Sequence, residues 1–331
     1  MISEIEEPTL AVRDLQTSIA TRQGVFSAID GVSFELYRGE TLGLVGESGS
    51  GKSMTGLSLM RLLAKDTARI TKGSIRLGGR ELTSLGEAEM RKVRGKEIAM
   101  ILQDPQTSLN PSFRIGDQIV EALELHRDAE PGGYLQMAVD ALRKVRVAAP
   151  EMRVHAYPHQ MSGGMRQRAV GAIAISCMPQ VIIADEPTTS LDVTVQAQYL
   201  RLLNDLQKET GLSILFITHD FGIVARVCHR LAVMYGGQIV EYGPVRRIFD
   251  RPSHPYTRAL LESVPKLHGQ SGRLPVIEGT PPALWNKPKG CNFAPRCPLS
   301  DARCHAEEPP AMEIGGEGKD RHTASCWRLL P

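Results

Sequence analysis

Residues 46–53 read Gly-Glu-Ser-Gly-Ser-Gly-Lys-Ser and directly follow a short apolar run, Thr41-Leu42-Gly43-Leu44-Val45. A glycine-rich turn between a strand and a helix lets the backbone wrap around phosphate groups, and the positive N-terminus of the helix points at them. In this pattern Lys52 reaches the β- and γ-phosphate oxygens, and the Ser53 hydroxyl holds Mg²⁺. The alternative is a chance glycine-rich turn, against which the preceding strand pattern argues. The stretch predicts a phosphate-binding loop for a nucleoside triphosphate.

Apolar runs typical of buried strands alternate with helical spacing on both sides of this loop. Strand patterns cover 97–102, 181–184 and 212–217, whereas 115–146 and 193–210 have the apolar spacing of helices. Strands that are apolar nearly throughout are typical of a parallel sheet covered on both faces. The sequence therefore predicts an α/β fold. After about residue 250 the periodicity weakens and proline-rich stretches appear.

Length and composition narrow the class of protein. A chain of 331 residues with 42% apolar content predicts two domains, or one large domain with an appendage. With 39 basic and 37 acidic residues the net charge is +2, which does not favour nucleic-acid binding. No apolar run approaches the roughly 18 residues that span a bilayer, and the acidic start is unlike a secretory signal. We expect a cytosolic protein.

An acidic pair, Asp185-Glu186, follows the apolar run 181–184. A carboxylate at the carboxyl end of a buried strand beside a phosphate loop can hold Mg²⁺ through water, which is the role predicted for Asp185. Glu186 would then orient the attacking water. An isolated Asp-Glu pair is more simply a solvated turn, but the strand and the loop favour the metal-site interpretation.

Further motifs follow in a fixed order: Gln103, Ser162-Gly163-Gly164, Ser190-Leu191-Asp192 and Thr218-His219-Asp220. Alone, Ser-Gly-Gly is a common helix start. Together with the phosphate loop and the acidic pair, the motifs over residues 8 to about 250 resemble the ATP-binding cassette (ABC) ATPases. This resemblance implies a RecA-like nucleotide-binding domain with a mostly parallel sheet core, an antiparallel β subdomain and a helical signature subdomain at about 104–165.

The resemblance also implies a role for each matching residue of the hydrolytic site. The phosphate loop binds ATP through Gly46, Ser48, Gly49, Gly51, Lys52 and Ser53. Mg²⁺ is held at Ser53, Gln103 and Asp185. Glu186 is the general base and His219 contacts the γ-phosphate, while Gln103 connects the Mg²⁺ and water site to the membrane subunits.

A second group of residues is implied to act between two subunits. In the signature motif, Ser162, Gly163 and Gly164 bind the γ-phosphate of ATP held by the opposite subunit, and Asp192 communicates across the dimer. Met161 and Met165 stand where Leu and Gln are usual, but the Ser-Gly-Gly core is intact. Each ATP would thus join two cassettes.

The adenine site departs from the usual family pattern. ABC ATPases usually stack an aromatic ring on the base just before the Gly-Val-Ser-Phe strand. Within 19–28 the only aromatic residue is Phe26. Phe26 either stacks on adenine or packs under the sheet, and the sequence leaves both roles open.

Three stretches resemble one branch of the family, the ATPases of dipeptide and oligopeptide importers, whose relatives also carry nickel, opines and oligosaccharides: 103–111, 157–160 and 253–260. The sequence at 163–168, Gly-Gly-Met-Arg-Gln-Arg, is similar to that of the D-type ATPase of such importers. The resemblance implies a heterodimer with a homologous second ATPase, two integral membrane permease subunits and an extracytoplasmic solute-binding protein. The chain would lie peripherally on the cytoplasmic face of the inner membrane. It would consist of a nucleotide-binding domain, 1–250, and a C-terminal extension, 251–331.

Four of the six cysteines lie in the last part of the chain: Cys291, Cys297, Cys304 and Cys326. Four thiolates suit a four-iron cluster or a tetrahedral zinc ion equally well by ligand count. The spacing lacks paired C-x-x-C motifs, and the resemblance implies a [4Fe-4S] cluster that staples a small, loop-rich segment, with Zn²⁺ as the alternative. Disulfides are disfavoured in a reducing cytosol. His305 and His322 are interpreted as solvated side chains, with metal ligation as the alternative.

Two other classes of ABC protein compete with an importer subunit. Soluble ABC ATPases of translation or DNA repair usually carry two cassettes or a long coiled-coil insertion, and exporter cassettes are commonly fused to membrane spans. This chain has one cassette pattern, no such insertion and no basic stripe. The sequence therefore favours the ATP-hydrolysing subunit of an importer.

Overall fold

The structure is a computed structural model that describes residues 7–130, 132–264 and 275–330. Its strands are β1 (Leu10–Thr21), β2 (Gly24–Leu36), β3 (Thr41–Val45), β4 (Ala68–Leu77), β5 (Arg80–Glu81), β6 (Ile98–Ile101), β7 (Val181–Asp185), β8 (Ser213–Thr218), β9 (Arg230–Tyr235), β10 (Gln238–Pro244), β11 (Met312–Gly315) and β12 (His322–Ala324). Its helices are α1 (Lys52–Leu59), α2 (Glu87–Val93), α3 (Pro105–Ser108), α4 (Ile115–His126), α5 (Gly133–Lys144), α6 (Pro150–Arg153), α7 (Gly163–Ser176), α8 (Val193–Thr210), α9 (Phe221–Val227), α10 (Val245–Asp250), α11 (Pro255–Glu262) and α12 (Ala302–Ala306).

The chain divides into two compact units. Unit 1 contains Met1–Glu35, Thr41–Leu77 and Ile217–Pro331, and unit 2 contains Leu36–Glu40 and Gly78–Phe216. Unit 1 therefore holds the phosphate loop and the four C-terminal cysteines, whereas unit 2 holds the acidic pair and the signature motif.

Unit 1 contains parallel and antiparallel strands. β3 is buried throughout and pairs in parallel with β9, with Val45 opposite Val233. The sheet continues beyond β9 through antiparallel pairs, in the order β9, β10, β12 and β11. Separately, β1 pairs antiparallel with β4, so that Val12 faces Ile75 on the buried side. The predicted antiparallel β subdomain corresponds to this second sheet.

Unit 2 contains a parallel strand pair and most of the long helices. β6 pairs in parallel with β7, with Ile98 opposite Val181. All five residues of β7 are buried, as its apolar sequence predicts. α7 packs against α4 and α5. The helical pattern at 115–146 is divided into two helices: α4 ends at His126, and Gly132, with a φ of +81°, is the N-cap of α5.

The C-terminal extension packs against the strands of unit 1 more extensively than its weak periodicity suggests. β12 pairs with β10, and Phe293 and Tyr256 belong to the same buried cluster as Val45 of β3. Burying one aromatic side chain of this kind contributes about 1.5–3 kcal/mol. Among the described residues, no helix is both long and apolar enough to cross a membrane.

Candidate functional site

The phosphate loop joins β3 to α1, and its path requires glycine at two positions. The φ angles are +156° at Gly46 and +106° at Gly51. A Cβ at Gly46 would lie 2.1 Å from the carbonyl oxygen of Met234, and one at Gly51 would lie 2.8 Å from the terminal methyl of the same residue. The loop therefore rests directly on β9, and a larger residue would displace it.

The loop and the start of α1 form a cradle for an anion. Nζ of Lys52 donates hydrogen bonds to the carbonyl oxygens of Gly46 at 2.8 Å and Glu47 at 2.9 Å. No side chain caps α1, so its N-terminal N–H groups and positive dipole end face the loop. Three further predicted ligands are exposed to solvent: Ser48, Gly49 and Ser53. Such a cradle suits the phosphates of a nucleotide.

Unit 2 brings together two of the predicted hydrolytic residues. Nε2 of Gln103 donates to Oε2 of Glu186 at 3.1 Å, and Oγ1 of Thr189 donates to the same oxygen at 3.0 Å. Glu186 has a φ of +45°, which is unusual outside glycine and marks a constrained backbone. Asp185, the last residue of β7, is buried. The carboxylate of Glu186 is thus oriented by two donors.

The signature motif forms the start of α7. Oγ of Ser162 accepts from the backbone N–H of Met165 at 3.4 Å, and Gly163 and Gly164 open the helix. A Cβ at Gly164 would lie 2.7 Å from Cγ1 of Val195 in α8, so glycine is required for this close packing. These residues line a depression of about 420 Å³.

Asp192 lines the same depression and caps α8. Its Oδ1 accepts from the N–H groups of Thr194 at 3.1 Å and Val195 at 2.9 Å. An N-cap of this kind stabilises a helix by about 1 kcal/mol. Asp192 therefore has a structural role within the chain, and the predicted communication across a dimer remains a prediction.

The remaining predicted nucleotide contacts lie in unit 1. His219 is exposed and follows β8, and its neighbour Asp220 caps α9 by accepting from Gly222 N–H at 2.7 Å. Phe26 is half-buried in β2. Its stacking on adenine remains a prediction.

All six cysteines have free thiols. The pKa of Cys291 is raised, mainly because the thiol is buried and to a smaller extent by the neighbouring thiols of Cys297 and Cys304. Burial and the other three cysteines of the segment raise the pKa of Cys326 to about 11, although the N–H of Arg328 donates to its Sγ at 3.2 Å. Across 7–130, 132–264 and 275–330, no group of three or more His, Cys, Asp or Glu side chains is placed so that it could hold a metal ion.

The prediction of a solvated His322 is wrong. Its side chain is buried, and Nε2 lies 2.8 Å from Oε1 of Glu241, which also accepts from the N–H of Ser253. This contact links β12 to β10, and the sequence contained no signal for it. His254, part of the importer-like stretch, caps α11 through Nδ1, and burial lowers its pKa to about 4.

Glu47 and Arg296 form a contact that no sequence pattern indicated. Within unit 1, the guanidinium of Arg296 pairs with the carboxylate of Glu47, one residue into the phosphate loop. The two residues are 249 positions apart, so no local spacing could have indicated the pair.

Family profiles match two regions of the chain. The profile described as "ABC transporter" matches residues 29–189, and the profile "Oligopeptide/dipeptide transporter, C-terminal region" matches residues 240–304. The second match contains Cys291, Cys297 and Cys304.

Individual proteins are similar to the chain over nearly its whole length. "Probable peptide ABC transporter ATP-binding protein y4tR" of Sinorhizobium fredii is 50% identical, covering 96% of this chain and 94% of the relative. "Dipeptide transport ATP-binding protein DppD" of Bacillus subtilis is 46% identical, covering 97% and 95%. A dimeric ATP-binding cassette, MJ0796, solved in a post-hydrolysis state with ADP and Pi, has a TM-score of 0.64 and 25% identity over 72% of this chain and 99% of its own.

Proposed function

The chain belongs to the ABC transporter family of ATPases, and on that premise we propose that it is the ATP-hydrolysing, energy-coupling subunit of an importer for di- and oligopeptides or related solutes. The observation that carries the proposal is the similarity to peptide-transport ATP-binding proteins along nearly the full chain, including the C-terminal region.

The proposed chemistry is hydrolysis of ATP with Mg²⁺. Lys52 and the glycines of the phosphate loop bind the phosphates, and Ser53, Gln103 and Asp185 serve the Mg²⁺ site. Glu186 takes a proton from the attacking water, and His219 contacts the γ-phosphate. The hydrogen bonds from Gln103 and Thr189 to Glu186 support this role, because a general base must be held in one orientation.

A second cassette completes the proposed site. Ser162, Gly163 and Gly164 would bind the γ-phosphate of ATP held by the opposite subunit, and Asp192 would lie near the contact. Ser162 and Gly163 are exposed at the start of α7, which supports this arrangement, since a helix N-terminus favours an anion. The proposed opposite subunit is a homologous ATPase rather than a second copy of this chain.

The other proposed partners are two integral membrane permeases and an extracytoplasmic solute-binding protein. The chain would lie on the cytoplasmic face of the inner membrane and reach the permeases near Gln103. We propose residues 1–250 as the nucleotide-binding domain and 251–331 as the extension.

We further propose that Cys291, Cys297, Cys304 and Cys326 hold a [4Fe-4S] cluster, with Zn²⁺ as the alternative. Among the described residues no three of these thiols are placed so that they could share a metal ion, so the side chains would have to rearrange to bind one. Burial and the other three thiols raise the pKa of Cys326, and the N–H of Arg328 donates to its Sγ at 3.2 Å. Such N–H donors stabilise thiolate ligands of a bound metal. The cluster would order the segment rather than take part in ATP hydrolysis. Metal analysis after anaerobic purification tests this, and stoichiometric zinc without iron or sulfide would reject the cluster.

The test of the function is transport by the reconstituted assembly. The chain is copurified with its partners and placed in vesicles with a panel of di- and oligopeptides, nickel chelates and small glycosides. ATP-dependent uptake of peptides is expected. Copurification with ribosomes, without integral membrane proteins, would contradict the proposal.

A further inference from the structure

The carboxylate of Glu47 is held by an arginine from the C-terminal extension. Nη1 of Arg296 lies 2.7 Å from Oε2 of Glu47, and Nη2 lies 3.1 Å from Oε1. The Arg296 side chain is only 5% exposed and that of Glu47 is 27% exposed. A bidentate, largely buried pair of this kind fixes both partners in position far more firmly than a surface ion pair.

Arg296 is itself held rigidly. Nε donates to the carbonyl oxygen of Glu278 at 2.9 Å, Nη2 to that of Ile277 at 3.2 Å and Nη1 to the hydroxyl of Tyr235 at 3.1 Å. With the two bonds to Glu47, the guanidinium has an acceptor for every N–H group. Its position is therefore determined by the fold of the extension.

The main chain of Glu47 is held by the same region. Its N–H donates to the hydroxyl of Tyr256 at 3.0 Å. Tyr256 is fully buried, with its ring 4.5 Å from that of Tyr235 and 5.2 Å from that of Phe293. The extension and β9 thus fix Glu47 through both its backbone and its side chain.

Glu47 also contacts Lys52, the residue proposed to bind phosphate. Its carbonyl oxygen accepts from Nζ of Lys52 at 2.9 Å. A shift of Glu47 would therefore change the start of the cradle and the position of Lys52. Nothing in the proposed hydrolytic chemistry uses the Glu47 carboxylate, which leaves positioning as its role.

We propose that Arg296 is a positioning residue for the phosphate loop, so that the C-terminal extension sets the affinity of the cassette for ATP through Glu47. The inference rests on the ATP-binding part of the proposed function and adds the residue through which the extension acts. A lysine at position 296 would keep the charge but lose the bidentate geometry and most of the other hydrogen bonds.

Titration of the full-length chain with a fluorescent ATP analogue tests the proposal. We expect Arg296→Ala to raise the Kd about tenfold, Glu47→Gln to raise it severalfold, and Arg296→Lys to recover part of the loss. The double variant should bind no more weakly than Arg296→Ala, because the two substitutions remove the same contact. A residue that only stabilises the fold would lower the melting temperature without this pattern.

Arg321→Ala is the matched control, since Arg321 forms an exposed pair with Glu313 in the same extension at 3.1 Å. It should bind the analogue like the wild type. If Arg296→Ala does not fold, Glu47→Gln and Arg296→Lys carry the test. Wild-type affinity in folded Arg296→Ala, additive losses in the double variant, or an equal loss in Arg321→Ala would overturn the inference. Failure of the wild type to bind the analogue would instead contradict the proposed function.

Discussion

The nucleotide-binding motifs and the C-terminal extension differ in how much of their structure the local sequence indicates. The phosphate loop is indicated locally, because β3 ends, three glycines with positive φ turn the chain and α1 begins at Lys52, although β9 and the extension then support it. The extension is held by contacts between distant residues, such as His322 with Glu241 and Arg296 with Glu47. The local sequence therefore indicates the chemistry of the motifs, whereas the fold of the extension depends on packing between residues far apart in the sequence.

This difference gives the two regions different sensitivities. A substitution of a reactive side chain in a motif should abolish one chemical step and leave the fold intact. A substitution of a tightly packed glycine in a motif should create a steric clash. A substitution in the extension should change stability, metal content or affinity by smaller amounts.

The largest expected effect is on the rate of ATP hydrolysis and comes from a substitution in a nucleotide-binding motif, at the proposed general base. Glu186→Gln removes the proton acceptor but keeps the size of the side chain, so ATP turnover should fall on the order of 1,000-fold while nucleotide binding persists. Steady-state ATPase assays on the reconstituted assembly, together with titration of a fluorescent ATP analogue, measure both quantities.

Glu209→Gln, at an exposed position of α8, is the matched control and should hydrolyse ATP like the wild type. Normal turnover in Glu186→Gln would show that another group acts as the base.

The phosphate loop offers a steric test. Gly46→Ala places a methyl group against the carbonyl oxygen of Met234, 2.1 Å away, and should destabilise the fold by about 3 kcal/mol or abolish nucleotide binding. Gly49→Ala has a positive φ of +78° but open space around it, so its cost should be nearer 1 kcal/mol. Urea denaturation compares them, and equal losses would contradict the idea that β9 supports the loop.

Substitution of a cysteine tests the proposed metal site of the C-terminal extension. Cys326→Ser should weaken metal binding on the order of 100-fold and lower the melting temperature, because a ligand is lost from a small ordered segment. Cys177→Ser, at a buried cysteine of unit 2, should leave metal content unchanged. Iron, sulfide and zinc analyses of the two variants, purified anaerobically, decide between these outcomes.

The smallest expected effect is a pH dependence at His254. Its folded-state pKa is about 4, below the ordinary value of 6.5, because burial disfavours the charged form. The unfolded chain therefore binds more protons between these values, and stability is full above pH 6.5 and falls as the pH drops toward 4. By pH 5 the loss should be about 2 kcal/mol.

Urea unfolding at pH 7.5 and pH 5 measures this loss. His254→Asn keeps a capping side chain without a titrating ring and should lose less stability over this range. His305→Asn, at an exposed position, should behave like the wild type. Identical pH dependence in His254→Asn would show that other groups cause the effect.

The same contrast explains what the sequence could predict. The α/β class, a buried strand over 181–184, α8 at 193–210 and the family were predicted correctly, because each depends on local periodicity or on motif order. The sequence could not reveal that β12 pairs with β10 or that His322 is buried, because these contacts depend on how distant segments fold together. Arg296 was missed for the same reason.

In the proposed function, this chain supplies half of each of two ATP sites, with its phosphate loop in one and its signature motif in the other. ATP turnover by the purified chain alone, as a verified monomer, is compared with turnover after the homologous ATPase and the permeases are added. We expect the monomer to bind ATP but hydrolyse it slowly, and the complete assembly to be faster by at least about tenfold. Rapid turnover by the monomer, unchanged by its partners, would contradict the claim.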